Sequence, residues 1–351
     1  MKLDDLLQHS SEWLKGTGPY SDIVISSRVR LARNLNNIPF PHRLNKKQAR
    51  EVLDKVRLAA EKTDFLKNSL FLELQNLDAL DKQFLIERHL MSYEHARPDN
   101  QRALILEENE IISIMVNEED HLRMQVMQSG FNLQEALNII NQIDDSLSQH
   151  LDFAFSPDWG YLTSCPTNTG TGLRGSVMLH LPALVMTRQI NRILSAIAKL
   201  SFTTRGLYGE GTEASGNFFQ VSNQVSLGHN EDEIISNINA LIKQVIEQEE
   251  QTRQNLLLHQ RAMLEDKIWR SFGILKNAFI ISSQETIDLL SMVRLGVDLG
   301  IIKGLDRSLI NKLFLITQPA HLQKIENKRL SSQERDIKRA EIIRKHLEGV
   351  S

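Results

Sequence analysis

The chain changes character after Gly228. Residues 231–270 contain neither glycine nor proline, and their apolar residues recur at helical spacing. Because glycine and proline are the residues least suited to a helix interior, this stretch predicts one long helix or two helices joined end to end. Similar patterns cover 284–296, 306–316 and 333–348. The last hundred or so residues are therefore predicted to be all helical.

Before Gly228, short strand patterns are mixed with helical ones. The strand-like runs 103–106 and 111–116 are separated by four polar residues that suit a tight hairpin turn. Strands joined by such a turn pair antiparallel, so the sequence predicts an α+β fold with an antiparallel sheet. The other predicted elements are helices at 1–20, 45–62, 78–90, 132–150 and 183–199, and strands at 23–25, 177–181, 201–208 and 217–227.

Composition narrows the class of protein. The net charge of −3 over 351 residues provides no general attraction to nucleic acid or to anionic membranes. A lone cysteine cannot form a disulfide within the chain, which favours a reducing compartment. The N-terminus lacks the apolar run of a signal peptide, and no segment is apolar enough to span a bilayer. We therefore expect a cytoplasmic protein that binds neither nucleic acid nor membrane.

Residues 165–175 contain the only cysteine, three glycines and Arg174. Such a run predicts a shaped loop with exposed backbone amides and one fixed cation. It fits the pattern G-x-G-x-x-G, but no clear strand precedes it and no acidic residue follows at the distance of a dinucleotide site. The sequence also lacks the P-loop and protein-kinase signatures, and the metal-binding patterns C-x-x-C and H-E-x-x-H.

Five arginines lie at predicted strand ends or in glycine-rich segments, whereas surface arginines usually lie on polar helix faces. A guanidinium binds phosphate oxygens through paired hydrogen bonds. Several that converge could hold a triphosphate and stabilise the charge that develops in phosphoryl transfer. Any one of them alone is equally explained as a structural ion pair. The five are Arg28, Arg30, Arg123, Arg174 and Arg205.

Acidic side chains are candidates for holding a guanidinium substrate. Glu118 and Glu119 end a predicted strand, and Glu210 lies between two glycines, where it could also be only a turn residue. Two carboxylates can hold both edges of a guanidinium, and one can accept a proton as a nitrogen attacks phosphorus. Cys165 could add a thiolate or be a small buried hydrophobe. No histidine pairs with it in the pattern of a cysteine protease.

Three motifs resemble those of the phosphagen (guanidino) kinases: Ser-Ser-Arg-Val-Arg from Ser26, Asn-Glu-Glu-Asp-His-Leu-Arg from Asn117, and Cys-Pro-Thr-Asn-x-Gly-Thr-Gly-Leu-Arg from Cys165. The resemblance covers about residues 21–254. It implies an antiparallel sheet flanked by helices and ATP as the phosphoryl donor. It also implies Mg²⁺ held mainly by phosphates and water, so that no metal site made of protein ligands is expected.

The resemblance further implies roles for single residues. His89 would lie near the adenine and ribose, while Glu118, Glu119 and Cys165 would face the guanidino group and Glu210 would join in catalysis. The residues implied in nucleotide binding are Ser26, Ser27, Arg28, Val29, Arg30, His89, Arg123, Arg174, Gly175, Ser176, Val177, Met178, Arg205, Gly206, Leu207, Tyr208, Gly209 and Glu210.

Within the family, the chain is most similar to protein-arginine kinases of the McsB type. About twenty residues precede the first motif, where the small-molecule enzymes have a helical domain that encloses the substrate. Ser226 stands where those enzymes have an arginine, and Leu207 where threonine is commoner. A more open site would accept an arginine displayed on a protein.

The C-terminal part carries a further motif of that type, R-D-x-x-R-A. The resemblance implies an allosteric phosphoarginine pocket formed by Arg335, Asp336, Arg339 and Ala340. The segment from His321 to Ser351 is basic, and its charge alone indicates a solvated helix face.

The predicted domains are a short N-terminal segment (1–20), a catalytic domain (21–254) and a helical domain (255–351).

The sequence thus predicts an ATP-dependent protein-arginine kinase that marks proteins for Clp-type proteolysis and controls stress repressors. Two alternatives remain: a kinase for free arginine or a similar metabolite, and an adaptor that binds phosphoarginine proteins, with catalysis secondary. The partners implied by the resemblance are protein substrates, a Clp ATPase or protease, a heat-shock repressor, a zinc-binding activator protein and a second copy of the chain in a homodimer.

Overall fold

The computed structural model describes residues 3–7, 11–97, 101–206 and 215–349. In these ranges the strands are β1 (Val24–Arg33), β2 (Leu70–Glu73), β3 (Ala103–Leu106), β4 (Ile112–Val116), β5 (Leu122–Ser129), β6 (Phe155–Ser156), β7 (Gly160–Tyr161), β8 (Leu173–His180), β9 (Phe202–Arg205) and β10 (Phe218–Asn223).

Three of the helices begin with a reciprocal capping box, in which Asn45, Asn230 or Ser331 exchanges hydrogen bonds with the residue three positions on. The helices are α1 (Lys46–Lys62), α2 (Ala79–Glu87), α3 (Leu133–Ser148), α4 (Pro182–Met186), α5 (Ile190–Lys199), α6 (Glu231–His259), α7 (Arg261–Asn277), α8 (Ser283–Asp298), α9 (Arg307–Ile316), α10 (Pro319–Ile325) and α11 (Ser332–His346).

Eight of the strands form one antiparallel sheet in the order β2-β3-β4-β5-β1-β8-β10-β9. The long strand β1 lies in the middle and pairs with β5 and β8. The predicted hairpin joins β3 to β4, and Glu107 donates its backbone N–H to the carbonyl of Ile112 at 3.1 Å. The expected antiparallel sheet flanked by helices is confirmed.

Each face of the sheet is covered by a different set of helices. On the first face, Val29 and Leu31 of β1 are buried in a core with α1, α3, α5 and α6. Helix α6 comes so close to β8 that a Cβ on Gly175 would lie 2.6 Å from Ile238 Cδ1. On the second face, Met178 and Phe218 belong to a core that includes α2 and the C-terminal helices α7–α11. The helical C-terminal part therefore packs against the same sheet.

Buried polar contacts fix that packing. The fully buried Arg294 of α8 donates to the backbone carbonyls of Ser21 (2.6 Å) and Asp22 (2.8 Å), just before β1. It also pairs with Asp298 at 3.1 Å. Because such groups are costly to leave unsatisfied, they determine how the C-terminal helices sit on the sheet.

Several predicted elements are confirmed, and others are wrong in detail. The stretch 231–270 forms two helices end to end, with a break at Gln260. The predicted helix at 1–20 is instead the two 3-10 turns Leu3–Leu7 and Glu12–Leu14, because Ser11 and Glu12 are used in contacts with the β3–β4 turn.

Other predictions need correction as well. The predicted helix at 183–199 is broken into α4 and α5 by Arg188, whose φ is 60°. The loop predicted over 165–175 ends earlier, since Leu173 already begins β8. Strands β2 and β5 and helix α10 were not predicted at all. No helix in the described ranges has the length and apolar character needed to cross a membrane.

Candidate active site

The arginine cluster follows from the period of two in a strand. Val29 and Leu31 face the first core, so Arg28 and Arg30 face the opposite side. Antiparallel register then places the other arginines beside them, since Arg30 pairs with Arg174 and Arg123 pairs with Ala32. Gln220, which pairs with Arg205, binds Arg28 directly. All five predicted arginines therefore lie on one face of the sheet.

Neutral side chains hold two of these guanidinium groups in position. Arg28 donates to Ser176 Oγ (3.3 Å), Gln125 Oε1 (3.4 Å) and Gln220 Oε1 (3.0 Å). Arg174 donates to Thr203 Oγ1 (3.0 Å) and Ser222 Oγ (3.1 Å) in the same manner. These contacts orient the two guanidinium groups.

Burial and the closeness of the other cations lower the pKa values of two of these arginines. Burial, and then the nearby Arg123, Arg174 and Arg205, lower the pKa of Arg28 to about 9. The pKa of Arg30 is lowered well below its ordinary value, first by burial and then by the same neighbours and Arg28. Nε and Nη2 of Arg30 are buried and have no hydrogen-bond partner among the described residues. A polyphosphate anion supplies the acceptors that these groups lack, so the residues fit ATP.

The two predicted acids differ in their surroundings, since Glu118 is buried and Glu119 is exposed. Glu118 is buried and binds Arg123 Nη1 through both carboxylate oxygens, at 2.8 and 2.7 Å. It also accepts a hydrogen bond from Ser92 at 2.5 Å. Burial alone would raise the pKa of Glu118, but Arg123 outweighs that effect and holds the pKa at about 2. Glu118 is therefore a permanent anion that orients an arginine of the cluster.

Glu119 is exposed, unlike its neighbour. The pKa of Glu119 is raised, first by partial desolvation of the carboxyl group and then by the nearby Asp120. A carboxylate with a raised pKa accepts a proton more readily. Of the two acids, Glu119 is therefore the exposed one and the one whose pKa is raised.

Asp120 connects the acidic turn to the loop that carries Cys165. Its Oδ1 accepts hydrogen bonds from Ser164 N (2.7 Å) and Asn34 Nδ2 (2.6 Å). Cys165 is half-buried, with Sγ 3.0 Å from Thr167 Oγ1. The structure thus brings the predicted glutamates and the cysteine into one group of loops beside the arginine cluster.

The same loop is fixed from the other side by Ser226. The Ser226 hydroxyl lies 3.2 Å from the carbonyl oxygen of Thr167 and 3.1 Å from that of Thr169. Gly170, at φ 111°, packs closely on this segment, because an added Cβ would lie 3.0 Å from Leu227 Cα. Ser226 therefore holds the loop that carries Cys165 in place.

A cavity next to Arg28 contains five of the predicted nucleotide residues. It is lined by Ser26, Arg28, His89, Ser176 and Met178, together with Trp13, Met127 and Gln220, which were not predicted. Burial, and then Arg28, lower the pKa of His89 to about 4, so its imidazole is neutral at pH 7.

Some predicted nucleotide residues direct their side chains elsewhere. Val29 and Val177 are fully buried in the first core, and Gly175 faces α6. The Ser27 hydroxyl donates to the carbonyl of Gly130 at 2.9 Å on that side. These positions serve as the backbone between the residues that face the cluster. Gly206 is buried directly after β9, whereas Leu207, Tyr208, Gly209 and Glu210 lie outside the described residues.

Sequence reasoning missed several residues of the site, namely Trp13, Ser92, Asp120, Gln125 and Gln220. For Gln125 a signal was present, because it follows Arg123 at the strand period of two and so shares its face. Asp120 lies in the motif that begins at Asn117, but no role was predicted for it. Trp13 gave no such signal, since only tertiary contacts bring it to the site.

The C-terminal motif lies on α11, within the second core. Arg339 is fully buried and donates to the carbonyls of Thr317 and Ile281, each at 2.8 Å, besides pairing with Asp336 at 2.5 Å. Ala340 is also buried. Arg335 is half-buried and donates through Nη1 to the carbonyl of Leu330 at 2.9 Å. Arg335 is therefore the more accessible cation of the motif.

Within the described ranges, no group of three or more histidine, cysteine or acidic side chains is arranged to hold a metal ion. Glu118, a buried acid beside the arginine cluster, is bound to Arg123.

Comparison with known families decides the affiliation. Residues 51–252 match the family described as ATP:guanido phosphotransferase, C-terminal catalytic domain. The chain belongs to the ATP:guanido phosphotransferase family. Residues 261–351, which include the C-terminal helices of this phosphotransferase, match the family described as protein-arginine kinase McsB C-terminal domain.

Relatives of this phosphotransferase match over its whole length. A protein-arginine kinase of Halothermothrix orenii is 49% identical over 99% of both chains. The protein-arginine kinase of Bacillus subtilis is 45% identical over 99% of this chain and 96% of its own. The resemblance to protein-arginine kinases inferred from the motifs is confirmed.

Solved structures share the fold of the catalytic part. A duplicated taurocyamine kinase of Schistosoma mansoni has a TM-score of 0.60 at 26% identity, covering 66% of this phosphotransferase and 33% of that chain. Lombricine kinase has a TM-score of 0.58 at 24% identity, covering 69% and 71%. These similarities support the phosphagen-kinase fold read from the sequence.

Proposed function

We propose that this phosphotransferase is a protein-arginine kinase, which transfers the γ-phosphoryl group of ATP to arginine side chains of proteins. The observation that carries the proposal is the five-arginine face, joined to the acidic turn by the Glu118–Arg123 ion pair. One side of the site can hold a polyanion, and the other can hold a cation.

On the donor side, the triphosphate of ATP lies on the arginine face. Arg28 and Arg174 are already oriented by neutral partners, so little reorganisation is needed when phosphate oxygens bind. The unpartnered nitrogens of Arg30 find acceptors in those oxygens. The same cations stabilise the charge that develops as the bond between the γ-phosphorus and the bridging oxygen breaks and ADP leaves.

On the acceptor side, Glu119 accepts the proton that the substrate guanidinium loses as its nitrogen attacks phosphorus. Glu118 holds Arg123 in place and does not take up a proton, because its pKa is about 2. Cys165 contributes a contact to the guanidinium from the loop opposite. Glu210, which lies outside the described residues, is proposed as a second carboxylate, and Mg²⁺ held by the phosphates completes the donor.

A direct experiment tests this function. The protein is incubated with ATP, Mg²⁺ and a generic basic protein, and phosphorylated residues are located by mass spectrometry before and after mild acid treatment. Phosphate on arginine that is lost in acid would identify the P–N bond. Phosphate on serine or threonine only, or none at all, would contradict the proposal.

Two further arms sharpen the result. Glu119→Gln should abolish transfer while leaving ATP binding within about twofold, because the amide cannot take the proton. Excess free arginine should compete poorly with the protein acceptor. Efficient phosphorylation of free arginine would instead favour a kinase for a small metabolite.

We further propose that the phosphorylated proteins are marked for Clp-type proteolysis and that stress repressors are among them. The protein would act in the cytoplasm as a homodimer, with a zinc-binding activator. The helical part, 255–351, would be the regulatory part, in which the site for phosphoarginine is formed by Arg335, Asp336, Arg339 and Ala340. The support is the motif on α11 and the half-buried state of Arg335.

Binding of a phosphoarginine peptide to the inactive Glu119→Gln protein tests the regulatory part. Arg335→Gln should weaken that binding at least tenfold, because one charge-assisted pair is lost. Arg329→Gln is the matched control, since Arg329 is exposed six residues upstream. Equal binding of the phosphorylated and unmodified peptides would contradict the site.

A further inference from the structure

The short N-terminal segment places a tryptophan at the nucleotide cavity. Trp13 lies in the 3-10 turn Glu12–Leu14 and is only 6% exposed. It lines the cavity that also contains Arg28 and His89. Its ring meets the His89 ring edge-on, with centroids 5.2 Å apart and planes inclined by 77°. Trp13 and His89 thus form two aromatic walls at right angles.

The other walls of this cavity match a nucleobase. Met127 and Met178 supply an apolar surface, while Arg28 and Gln220 lie towards the phosphate-binding face. Aromatic rings and methionine thioethers make favourable contacts with the faces and edges of a planar ring. This space adjoins Arg28, so a nucleotide whose phosphates bind the arginine cluster would have room to direct its base towards it.

The indole N–H of Trp13 is buried and has no hydrogen-bond partner among the described residues. A buried tryptophan N–H usually finds an acceptor, and an unsatisfied donor is costly. A purine has ring nitrogens that can accept this hydrogen bond. The unpaired donor is a second, independent sign that a ligand belongs at this position.

Contacts on both sides hold Trp13 in place. Ser11 donates to Glu110 Oε2 at 2.7 Å, and Arg88 donates to Ser11 Oγ at 3.0 Å. On the other side, Asn311 of α9 donates to the carbonyl of Leu14 at 3.2 Å. Because Arg88 directly precedes His89, the same network positions both aromatic walls.

A second cavity lies behind the two rings. Trp13 and His89 form part of its wall, together with Phe218 and, from α9, Phe314 and Leu315. The C-terminal helices therefore contribute to the space around Trp13, so that the aromatic wall belongs to the whole chain.

We propose that Trp13 is a nucleobase-recognition residue, which donates its indole N–H to a purine and forms one wall of the base pocket. The inference rests on the proposed binding of ATP and adds the residue that distinguishes a nucleotide from a bare polyphosphate. The arginine cluster recognises the phosphates, and Trp13 with His89 recognises the base.

The test compares ATP with tripolyphosphate, which has the phosphates but no base. Calorimetry with the full-length protein gives the affinity for each at the same Mg²⁺ concentration. Trp13→Phe keeps an aromatic ring and removes the donor. It should weaken ATP binding about threefold to tenfold, the value of one neutral hydrogen bond, and leave tripolyphosphate binding within twofold. Trp269→Phe, an exposed position on α7, is the matched control.

A second measurement leaves Trp13 intact. In a protein that carries both Trp159→Phe and Trp269→Phe, all tryptophan emission comes from Trp13. ADP should shift or quench that emission, and tripolyphosphate should not. Equal losses of ATP and tripolyphosphate affinity in Trp13→Phe, or an emission that does not respond to ADP, would overturn the inference.

Failure of the proposed function has a different signature. If ATP binding depends on Trp13 but no arginine becomes phosphorylated, the base pocket stands and the kinase proposal fails. If wild-type protein binds ATP no more tightly than tripolyphosphate, the base is not recognised and the inference about Trp13 fails, whatever the activity.

Discussion

Arg30 is the one arginine of the cluster that is buried outright, at 7% exposure. Its Nε and Nη2 are buried and lack hydrogen-bond partners among the described residues, so a bound polyphosphate would supply acceptors for them. A buried cation without partners lowers the free energy of unfolding, and functional sites often contain such destabilising groups. A single substitution at Arg30 can therefore change stability and ATP binding in opposite directions.

We expect Arg30→Met to raise the melting temperature and to weaken ATP binding. A buried unpaired charge is often replaced by an apolar side chain with a gain in stability, and each kcal/mol corresponds to about 1–2 °C in a chain of 351 residues. Loss of a charged contact should raise the KM for ATP about tenfold to a hundredfold. Differential scanning calorimetry and steady-state kinetics measure the two effects. Arg43→Met, on an exposed 3-10 turn, should change neither, and a less stable Arg30→Met protein would refute the reasoning.

Glu119 provides a prediction about pH. Asp120 helps to raise its pKa, and a base must be deprotonated to act, so activity is lost as the pH falls through that pKa. Asp120→Asn removes the like charge, while its amide oxygen can still accept from Ser164 and Asn34. The acidic limb of kcat/KM should therefore move to lower pH.

The measurement is kcat/KM for the protein acceptor at saturating ATP, between about pH 4 and pH 8. Asp152→Asn is the control, because Asp152 is an exposed acid that accepts from Asn36 at 3.1 Å. An acidic limb of Asp120→Asn that stays in place, or that moves to higher pH, would show that Asp120 does not tune the base.

At the scale of elements, the loop before β8 is held in place by hydrogen bonds from a segment about sixty residues further along the chain. The loop bears Cys165, and its carbonyls at Thr167 and Thr169 are bound by Ser226. The predicted strand at 217–227 ends at Asn223, which frees Ser226 to reach this loop. The support is therefore a property of two segments that are distant in sequence.

Ser226→Ala should lower turnover severalfold without much effect on the KM for ATP, because it loosens the acceptor loop and leaves the arginine face intact. The lost hydrogen bond should cost about 0.5–1.5 kcal/mol of unfolding free energy. Ser195→Ala is the control, since the exposed Ser195 hydroxyl donates only to the carbonyl of Asn191 within α5, at 2.8 Å. Similar losses in both variants would contradict the role of Ser226.

The elements also show where sequence patterns suffice. Helices α1, α3, α6 and α11 were predicted because their apolar spacing and caps are local signals. The break at Arg188 and the 3-10 turns near the N-terminus were missed, since backbone contacts with other segments decide them. Strand β5 was missed although its residues alternate, because its polar side chains face the arginine cluster rather than solvent.

At the scale of the molecule, the catalytic and C-terminal parts share a core. The second face of the sheet contributes Ile25, Met178 and Phe218, and the C-terminal helices contribute Phe314 and Leu315. Buried hydrogen bonds cross the same boundary, since Arg294 donates to the carbonyls of Ser21 and Asp22. Separating the two parts would expose this apolar surface to water.

We therefore expect the full-length protein to unfold in urea in a single transition, although chains of this length often populate intermediates. The chain has three tryptophans, so Trp13→Phe with Trp159→Phe leaves only Trp269 on α7 as a reporter. Trp13→Phe with Trp269→Phe leaves only Trp159, between β6 and β7. The fluorescence midpoints of both variants should coincide with the midpoint from far-UV circular dichroism. Separate midpoints would show that the parts unfold independently.

The amino-acid sequence by itself determined the α+β class, the helical C-terminal part, the five arginines and the acidic turn, because these depend on residue type and local period. Only the tertiary structure decided that strand pairing gathers the arginines on one face, that Arg123 takes Glu118 and leaves Glu119 free to titrate, and that Trp13 closes the base cavity. Each of these depends on the pairing of strands or helices far apart in the chain, and local periodicity contains no information about such partners.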